Sequence, residues 1–444
     1  FKNSSISSWF SNLKLRASYG MMGDDNLGGL YPDFAYLSGY TYYKGQSLMP
    51  DDPFSSVKSK KVIGSAPKGI PVTTISWMKI KLMNVGIDFG FFDNRLTGEF
   101  DLFKRMRDGI PGTPSDIMFP LETGLSALPE NMNSDMTVGF DAFVKWNDKV
   151  GDLKYSVGAN ITFARQKNGK RHGEIFGNAW DKYRWAQSNR WSNVVLNTDQ
   201  GNAGGVWMWE VIGRFETQEQ IDSYPVDQDG QNNATVRPGD VILRDVNGDG
   251  IINDFDERPQ AYASADWPWD SSTSNKNPLI SMGINLGFEW KGVDVAADFA
   301  GGFKNTFVAD WDLKWGVTRS VNGYYYNNID VWRHEDIFDP KSPWIPGKFP
   351  ALRGQESHSG RWWNSFYTRE VNYLRLRNLV VGYSLPKNWI RKVGMEQCRI
   401  YFQGTNLFCL SSLHDYGFDP EISTVNGQDY PQHKVLTLGV NVKF

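Results

Sequence analysis

The chain closes on HKVLTLGVNVKF, residues 433–444. Leu436, Leu438, Val440, Val442 and Phe444 fall on one parity there, and Val435, Thr437, Gly439, Asn441 and Lys443 on the other. A sustained period of two predicts a β-strand with two unlike faces. The pattern recurs in pairs. Residues 83–103 place Val85, Ile87, Phe89 and Phe91 on one face, turn at Asp93-Asn94, and return with Leu96, Phe100 and Leu102. Residues 137–164 carry Val138, Phe140, Ala142, Val144 and Trp146 before a polar turn, and Tyr155, Val157, Ala159, Ile161 and Phe163 after it. Residues 280–301 repeat the scheme with Met282, Ile284, Leu286, Phe288 and Trp290, then Val293, Val295, Ala297 and Phe299. Each pair predicts a hairpin. A looser pair, 371–385 and 398–409, is joined by PKNWIRKVGMEQ, long enough for one helical turn. Its parity slips near Asn378, as a β-bulge would make it do.

With LKLRASYG at 13–20 and the terminal run, these segments predict ten long strands. Short connections lie near 93, 149, 291 and 390; long ones cover 21–76, 106–135, 166–278, 305–370 and 410–432. Short and long alternate without a break. Loops this long argue against a compact domain but are expected of transmembrane barrels, which pair short turns at one end with long loops at the other. The second face carries Asp88, Glu99, Asp101, Asp141, Lys145, Lys154, Asn160, Asp294 and Asp298. In a sandwich these would meet water over an apolar core; in a wide barrel they would line a wet lumen while the apolar face meets lipid. Phe91, Trp146, Tyr155 and Trp290 sit beside short turns, where an interfacial aromatic girdle belongs. If the C-terminus lies in the periplasm, every long loop is external and every short turn periplasmic.

Composition narrows the field further. Lys and Arg total 47 against 50 Asp and Glu, a formal charge of −3, which argues against nucleic acid as a partner. Gly at 44 residues and aromatics at 14% suit strands and turns. Cys398 and Cys409, read as lying on one strand about 36 Å apart, should not form a disulfide. No run approaches the roughly 20 apolar residues of a spanning helix, which bears on helices alone. The chain starts on Phe1 without a signal peptide and is read as part of a longer protein.

The ending on Phe444, with Leu438, Val440 and Val442 before it, resembles the C-terminal signal by which bacterial outer-membrane barrels are recognised for insertion. YLRLRNLVVGYSLPKNWIRKVGMEQCRIYFQGTNLF at 373–408 resembles the closing segment of SusC/RagA-type TonB-dependent transporters of Bacteroidota. NVGIDFGFFDNRLTGEFDLF and GDVILRDVNGDGIINDFDE are similar to two more recurring segments of that family. The resemblance runs from about 13 to 444. It implies an all-β fold, a transmembrane antiparallel β-barrel of 22 strands of which residues 1–444 supply the C-terminal part, about ten strands. It also implies an N-terminal plug, driven by TonB, which is not visible here, and a SusD-like surface lipoprotein. The function implied is uptake of oligosaccharides or peptides across the outer membrane.

Within the external loop 166–278, D-V-N-G-D-G-I-I-N-D-F-D at 245–256 has the spacing of an EF-hand calcium loop. Side-chain oxygens fall at Asp245, Asn247, Asp249, Asn253 and Asp256, a carbonyl at Ile251, and Gly250 at the sharp turn. The last position is Asp rather than Glu, so a shorter arm must reach a structural Ca2+. A polar Asx-rich turn would look much the same. Loop aromatics cluster at 179–185, 206–210, 266–270, 322–328 and 361–364, suited to sugar rings, to a protein lid, or to small cores inside the loops. Catalysis finds no motif. His172, His334, His358, His414 and His433 lack metal-site spacing, and RHED at 333–336 reads as a solvated charge run. The chain is therefore expected not to be an enzyme. The competing reading is a secreted all-β glycan-binding module or glycan-active enzyme, for which a propeller repeat is missing.

Overall fold

The computed structural model of the protein describes residues 10–25, 36–43, 64–67, 70–74, 76–112, 127–168, 206–261, 278–308, 330–351, 364–414, 417–421 and 432–444, with positions 114, 120, 179, 180, 183 and 430. Ten long strands form the path of one eleven-stranded sheet, whose short eleventh strand is Cys409–Ser411: β1 (Phe10–Asp24), β2 (Met78–Phe91), β3 (Leu96–Gly112), β4 (Glu130–Val150), β5 (Leu153–Asn168), β6 (Ile280–Trp290), β7 (Val293–Val308), β8 (Thr368–Ser384), β9 (Gln397–Thr405) and β10 (Val435–Lys443). Each is hydrogen-bonded, antiparallel, to its neighbours in chain order, and β1 is not paired with β10. The short connections all lie at one end of the sheet and the long ones at the other, as the alternation requires. The connection between β8 and β9 holds the expected helical turn, Lys387–Ile390, continued by a 3-10 turn at Arg391–Val393.

Parity holds across the sheet. One row of paired residues runs Phe91, Leu96, Trp146, Val157, Leu286, Ala297, Leu379, Gly404 and Leu436. The bulge expected near Asn378 is present. Between β7 and β8 the register passes from Asp298 opposite Asn378 to Phe299 opposite Leu376, so Arg377 is the extra residue. Without it Leu374 and Leu376 would face the polar side.

The same row measures the tilt. Phe91 lies on it, Tyr155 is two residues nearer the short-turn end, Trp290 four and Phe444 eight. Eight residues at about 3.3 Å, over eight gaps of about 4.8 Å, give about 35°. That is the stagger a sheet needs to close into a barrel. The aromatics therefore form a level belt only if the strands lean, and Phe444 belongs to it. At that end Phe92 packs 6.1 Å from Trp146, and Trp146 Nε1 donates to the Tyr155 hydroxyl at 3.4 Å.

Two elements differ from the sequence reading. Several strands run further toward the long loops; β4 has 21 residues and β3 has 17. Around Lys104–Asp108 charged residues stand on both faces and Met106 alone is apolar, so the periodic signal stops while backbone pairing continues. Segment 398–409 is also not one strand: β9 ends at Thr405, Asn406 has φ 54°, and 409–411 pairs with 373–375 beyond the bulge. The two cysteines are free, as expected.

The apolar face has no second layer among the described residues. Leu15 and Leu438 are each 77% exposed, and Val85, Leu102, Val157, Leu286, Val381 and Val440 are also open. The buried clusters lie elsewhere, in 206–261 and at Phe307, Val371 and Leu413. An uncovered face of this size is far larger than water-facing surfaces carry. Replacing Ile161, mid-row on that face, by Arg should cost about 2–4 kcal/mol of inserted-state stability. Asn160→Arg, one residue away on the polar face, should be tolerated. Urea unfolding of the full-length receptor in liposomes reads the difference.

Candidate functional site

The polar face is built by a repeated device in which a glycine in one strand lets charges on its two neighbours meet across it. Arg16 of β1 and Asp101 of β3 both pair with Gly86 of β2. A Cβ on Gly86 would lie 2.1 Å from Asp101 Oδ1 and 3.2 Å from Arg16 Nη2. In its absence Arg16 Nη2 donates to Asp101 Oδ2 at 2.8 Å, while its Nε donates to Asp88 Oδ1 at 2.8 Å. At the other side of the sheet Arg399 of β9 reaches over Gly382 of β8 to Asp294 of β7, its Nε donating to Oδ1 at 2.9 Å. Between these ends Thr162 donates to Asp141 and Asn285 to Asp298, each at 2.7 Å. Such partly exposed pairs contribute little to stability. Their effect is a wall whose polar side chains lie flat.

Near the long-loop end, loop 417–421 is tied to this face. Arg375, 3% exposed, donates both bonds of one Nη2 to Asp419 at 2.6 and 2.7 Å, and Arg377 pairs with Glu421. The arginines alternate with apolar Leu374 and Leu376, so their positions were on the page of the sequence; their carboxylate partners, more than forty residues on, were not.

Residues 206–261 form a small body inside the long loop. One cluster buries Trp209, Val241, Leu243 and Ile252; a second buries Phe215, Ile221, Val236 and Ile242. The body is joined to two other connections. Val211 N donates to Ser365 Oγ at 2.9 Å, and Arg214 Nη1 donates to the carbonyls of Gly347 and Lys348 at 2.8 Å. Of the aromatic clusters, 206–210 thus places Trp209 in a core rather than at the surface; Trp332, outside those clusters, is also buried. Clusters 266–270 and 322–328 lie outside the described residues, as do His172 and His358. A feature the sequence reading passed over is the turn between Arg333–His334 and Trp344–Ile345, where Ile337 and Phe338 stand 72% and 89% exposed.

The calcium-like loop closes on itself. Asp245 accepts from the backbone N–H of Gly248 (2.7 Å) and Gly250 (2.9 Å). Asp256, fully buried, accepts from Val246 N at 2.8 Å and Asn253 N at 2.9 Å, and Asn253 caps the 3-10 turn 254–256. Asn247 and Asn253 turn amide nitrogens toward Asp249 Oδ2. Ile252 packs inward, while the Ile251 side chain is exposed. The donor types are those of an oxygen-liganded cation. Among the described residues, however, no three acidic, imidazole or thiol groups converge as a metal site. A second Asx loop abuts it: Asp227 N donates to Gly250 O and Ile252 N to Asp227 O, both at 2.9 Å.

No protein-family model matches the chain. It is 22% identical to the TonB-dependent receptor P39 of Formosa agariphila over 97% of this chain and 40% of that protein. It is 22% identical to the TonB-dependent receptor SusC of Bacteroides thetaiotaomicron over 98% of this chain and 38% of that protein. The RagAB peptide transporter structure superposes with TM-score 0.63 at 20% identity, covering 99% of this chain and 41% of that one. RagAB in its closed-closed state gives 0.64 at 21%, covering 100% and 42%. The chain thus spans about two fifths of the relatives it matches.

In the second Asx loop, burial alone would raise the Asp229 carboxyl. Hydrogen bonds from the hydroxyl and N–H of Thr235 and the N–H of Gln231 outweigh it, and the carboxyl falls from 3.8 to about 2. A carboxyl lowered by folding contributes stability that is present above its unfolded value and lost as pH falls through the folded one. Hydrogen-exchange protection of 226–243 in the full-length receptor should therefore hold above pH 4 and fade toward about pH 2. Asp229→Ala should remove about 1–3 kcal/mol of that protection at neutral pH.

Proposed function

We propose that this chain, a portion of a SusC/RagA-type TonB-dependent receptor, supplies part of the wall and external face of an outer-membrane nutrient importer. The observation that carries the reading is the uncovered apolar face, continuous over ten strands at a barrel's tilt, backed by a polar, glycine-levelled inner face. Short turns then lie in the periplasm and long connections outside. The body 206–261, braced against 330–351 and 364–367, offers the external surface on which a SusD-like lipoprotein would seat. Energy would come from TonB through the N-terminal plug that the family resemblance implies. Cargo is an oligosaccharide or a peptide; the likeness to a peptide transporter supports the second, and the likeness to SusC leaves the first open. Among the described residues no arrangement for bond-breaking chemistry is seen, and the likeness to receptors and transporters favours transport over catalysis. The competing secreted glycan module would need a packed layer over Leu15, Val157 and Leu438, and the exposure of all three counts against it.

Calcium belongs to the same reading. The residues that would hold it are Asp245, Asn247, Asp249, the Ile251 carbonyl, Asn253 and Asp256, and its part would be to brace the body, with no catalytic use.

A strain lacking the full-length gene should lose growth on the cargo oligosaccharide or peptide as sole nutrient. Complementation should restore growth only when TonB is functional. Growth that survives loss of TonB would overturn the importer reading. Limited proteolysis of the receptor should cut within 206–261 faster in EGTA than in calcium; identical patterns would remove calcium from the account.

A further inference from the structure

We infer that the lipid-facing side of β2, β3 and β5 holds a phosphate-bearing lipid headgroup at the rim next to the long connections. The inference rests on the membrane reading above and adds a binding site to it.

From the aromatic belt upward, the outward positions of the described wall are apolar or glycine for eight to ten residues. The run ends at Lys81 on β2, Lys104 on β3 and Arg165 on β5, counted from Phe91, Leu96 and Tyr155. At about 3.3 Å per residue and the tilt derived above, that is about 22–27 Å, close to the roughly 25 Å apolar band of such barrels. The first charges thus appear at headgroup depth, and they share a sign. Lys81 pairs with Met106, Lys104 with Met83, and Arg165 lies on the Lys104 row through Val138. Lys81 and Lys104 are diagonal neighbours, about 7–8 Å apart at Cα. Lys79 follows on the same face of β2. Within these rows the carboxylate is Asp108, engaged by Lys81 Nζ at 2.7 Å. Lys79, Lys81 and Lys104 thus share this corner of the wall with that one carboxylate.

The rest of the patch suits an amphiphile. Trp77 and Tyr19, 66% and 63% exposed, sit beside the lysines at the depth where interfacial aromatics collect. Trp77 lies over Gly23, where a Cβ would come within 2.8 Å of its ring. A groove of about 500 Å³ lined by Met21, Trp77, Met78 and Lys79 places an apolar wall next to a cation. On β10 the corresponding outward position is also a lysine, Lys434, ten residues above Phe444; what sets β2, β3 and β5 apart is that their cations stand close together beside Trp77 and Tyr19.

The test uses the full-length receptor in neutral detergent, titrated with phosphatidylglycerol or phosphatidylcholine, with bound lipid counted by native mass spectrometry. Wild type should retain phosphatidylglycerol preferentially, and inorganic phosphate should not displace it. Each of Lys79→Gln, Lys81→Gln and Lys104→Gln should weaken retention by about fivefold. Lys145→Gln, on the inner face, should leave it unchanged. If Lys79→Gln or Lys81→Gln fails to insert, Lys104→Gln alone still reads the effect. Equal retention of both lipids, or by wild type and Lys104→Gln, overturns the site. Displacement by phosphate alone would make it a free-anion site and overturn it equally. Heat-modifiable migration of the wild type is scored separately. Normal migration without anionic preference sinks this inference only, whereas failure to partition into detergent sinks the membrane reading beneath it.

Discussion

A sheet that meets hydrocarbon on one side has no water there to satisfy a backbone N–H or C=O, so its hydrogen-bond ladder must be continuous wherever lipid can reach. Most features of this chain follow from that constraint. The strands run through the apolar band with few irregularities. Of the two between β7 and β8, that at Asp298/Phe299 lies within the band and that at Gly302/Asn305 toward the long connections. The first keeps Leu374 and Leu376 on the lipid side, so an irregular backbone is used to restore parity. The same constraint bears on the sheet's ends. Among the described residues β1 and β10 each keep one unpaired edge, and a lipid-facing edge needs a partner strand.

The inner face obeys a different rule. Water can satisfy it, so its residues are chosen for shape. Gly86 and Gly382 each occupy the middle strand of three and let an arginine lie across to a carboxylate on the far side. Alternating glycines in the sequence are otherwise hard to understand, because glycine weakens a strand. Here they keep the wall low, so a wide passage is not narrowed by the side chains that make it polar. Loop 417–421, held by Arg375 and Arg377, shows the same face used to anchor chain rather than to leave it open.

The wall was readable from sequence because period two encodes two unlike solvents, and each strand repeats the message independently. Its strand order was readable because the connections alternate short and long. What escaped was whatever lacks a period. The ends of β3 and β4 are polar on both faces. The body 206–261 uses short elements whose partners lie far away, such as Arg214 with Gly347. The Asx loop at 227–235 has no motif name, yet it holds the more fully committed carboxylate. The loop at 245–256 was found by its spacing, but spacing does not say whether an aspartate will be satisfied by a cation or by backbone N–H groups. The fold's own donors reach Asp256 from three residues and leave it buried.

Leu438 and Leu243 show why exposure to a probe cannot by itself diagnose a membrane wall. One is 77% exposed and the other fully buried, yet both are out of water in the reading argued above. The hydrophobic effect rewards removal from water, whatever apolar phase receives the side chain. What separates the cases is pattern: Leu243 belongs to a closed cluster of unlike partners, whereas Leu438 belongs to a row of like positions repeated strand after strand. A soluble protein has no use for such a row unless another layer covers it. The chain therefore folds against two environments at once, and its sequence records both: a closed core within 206–261 and an open apolar row along the wall.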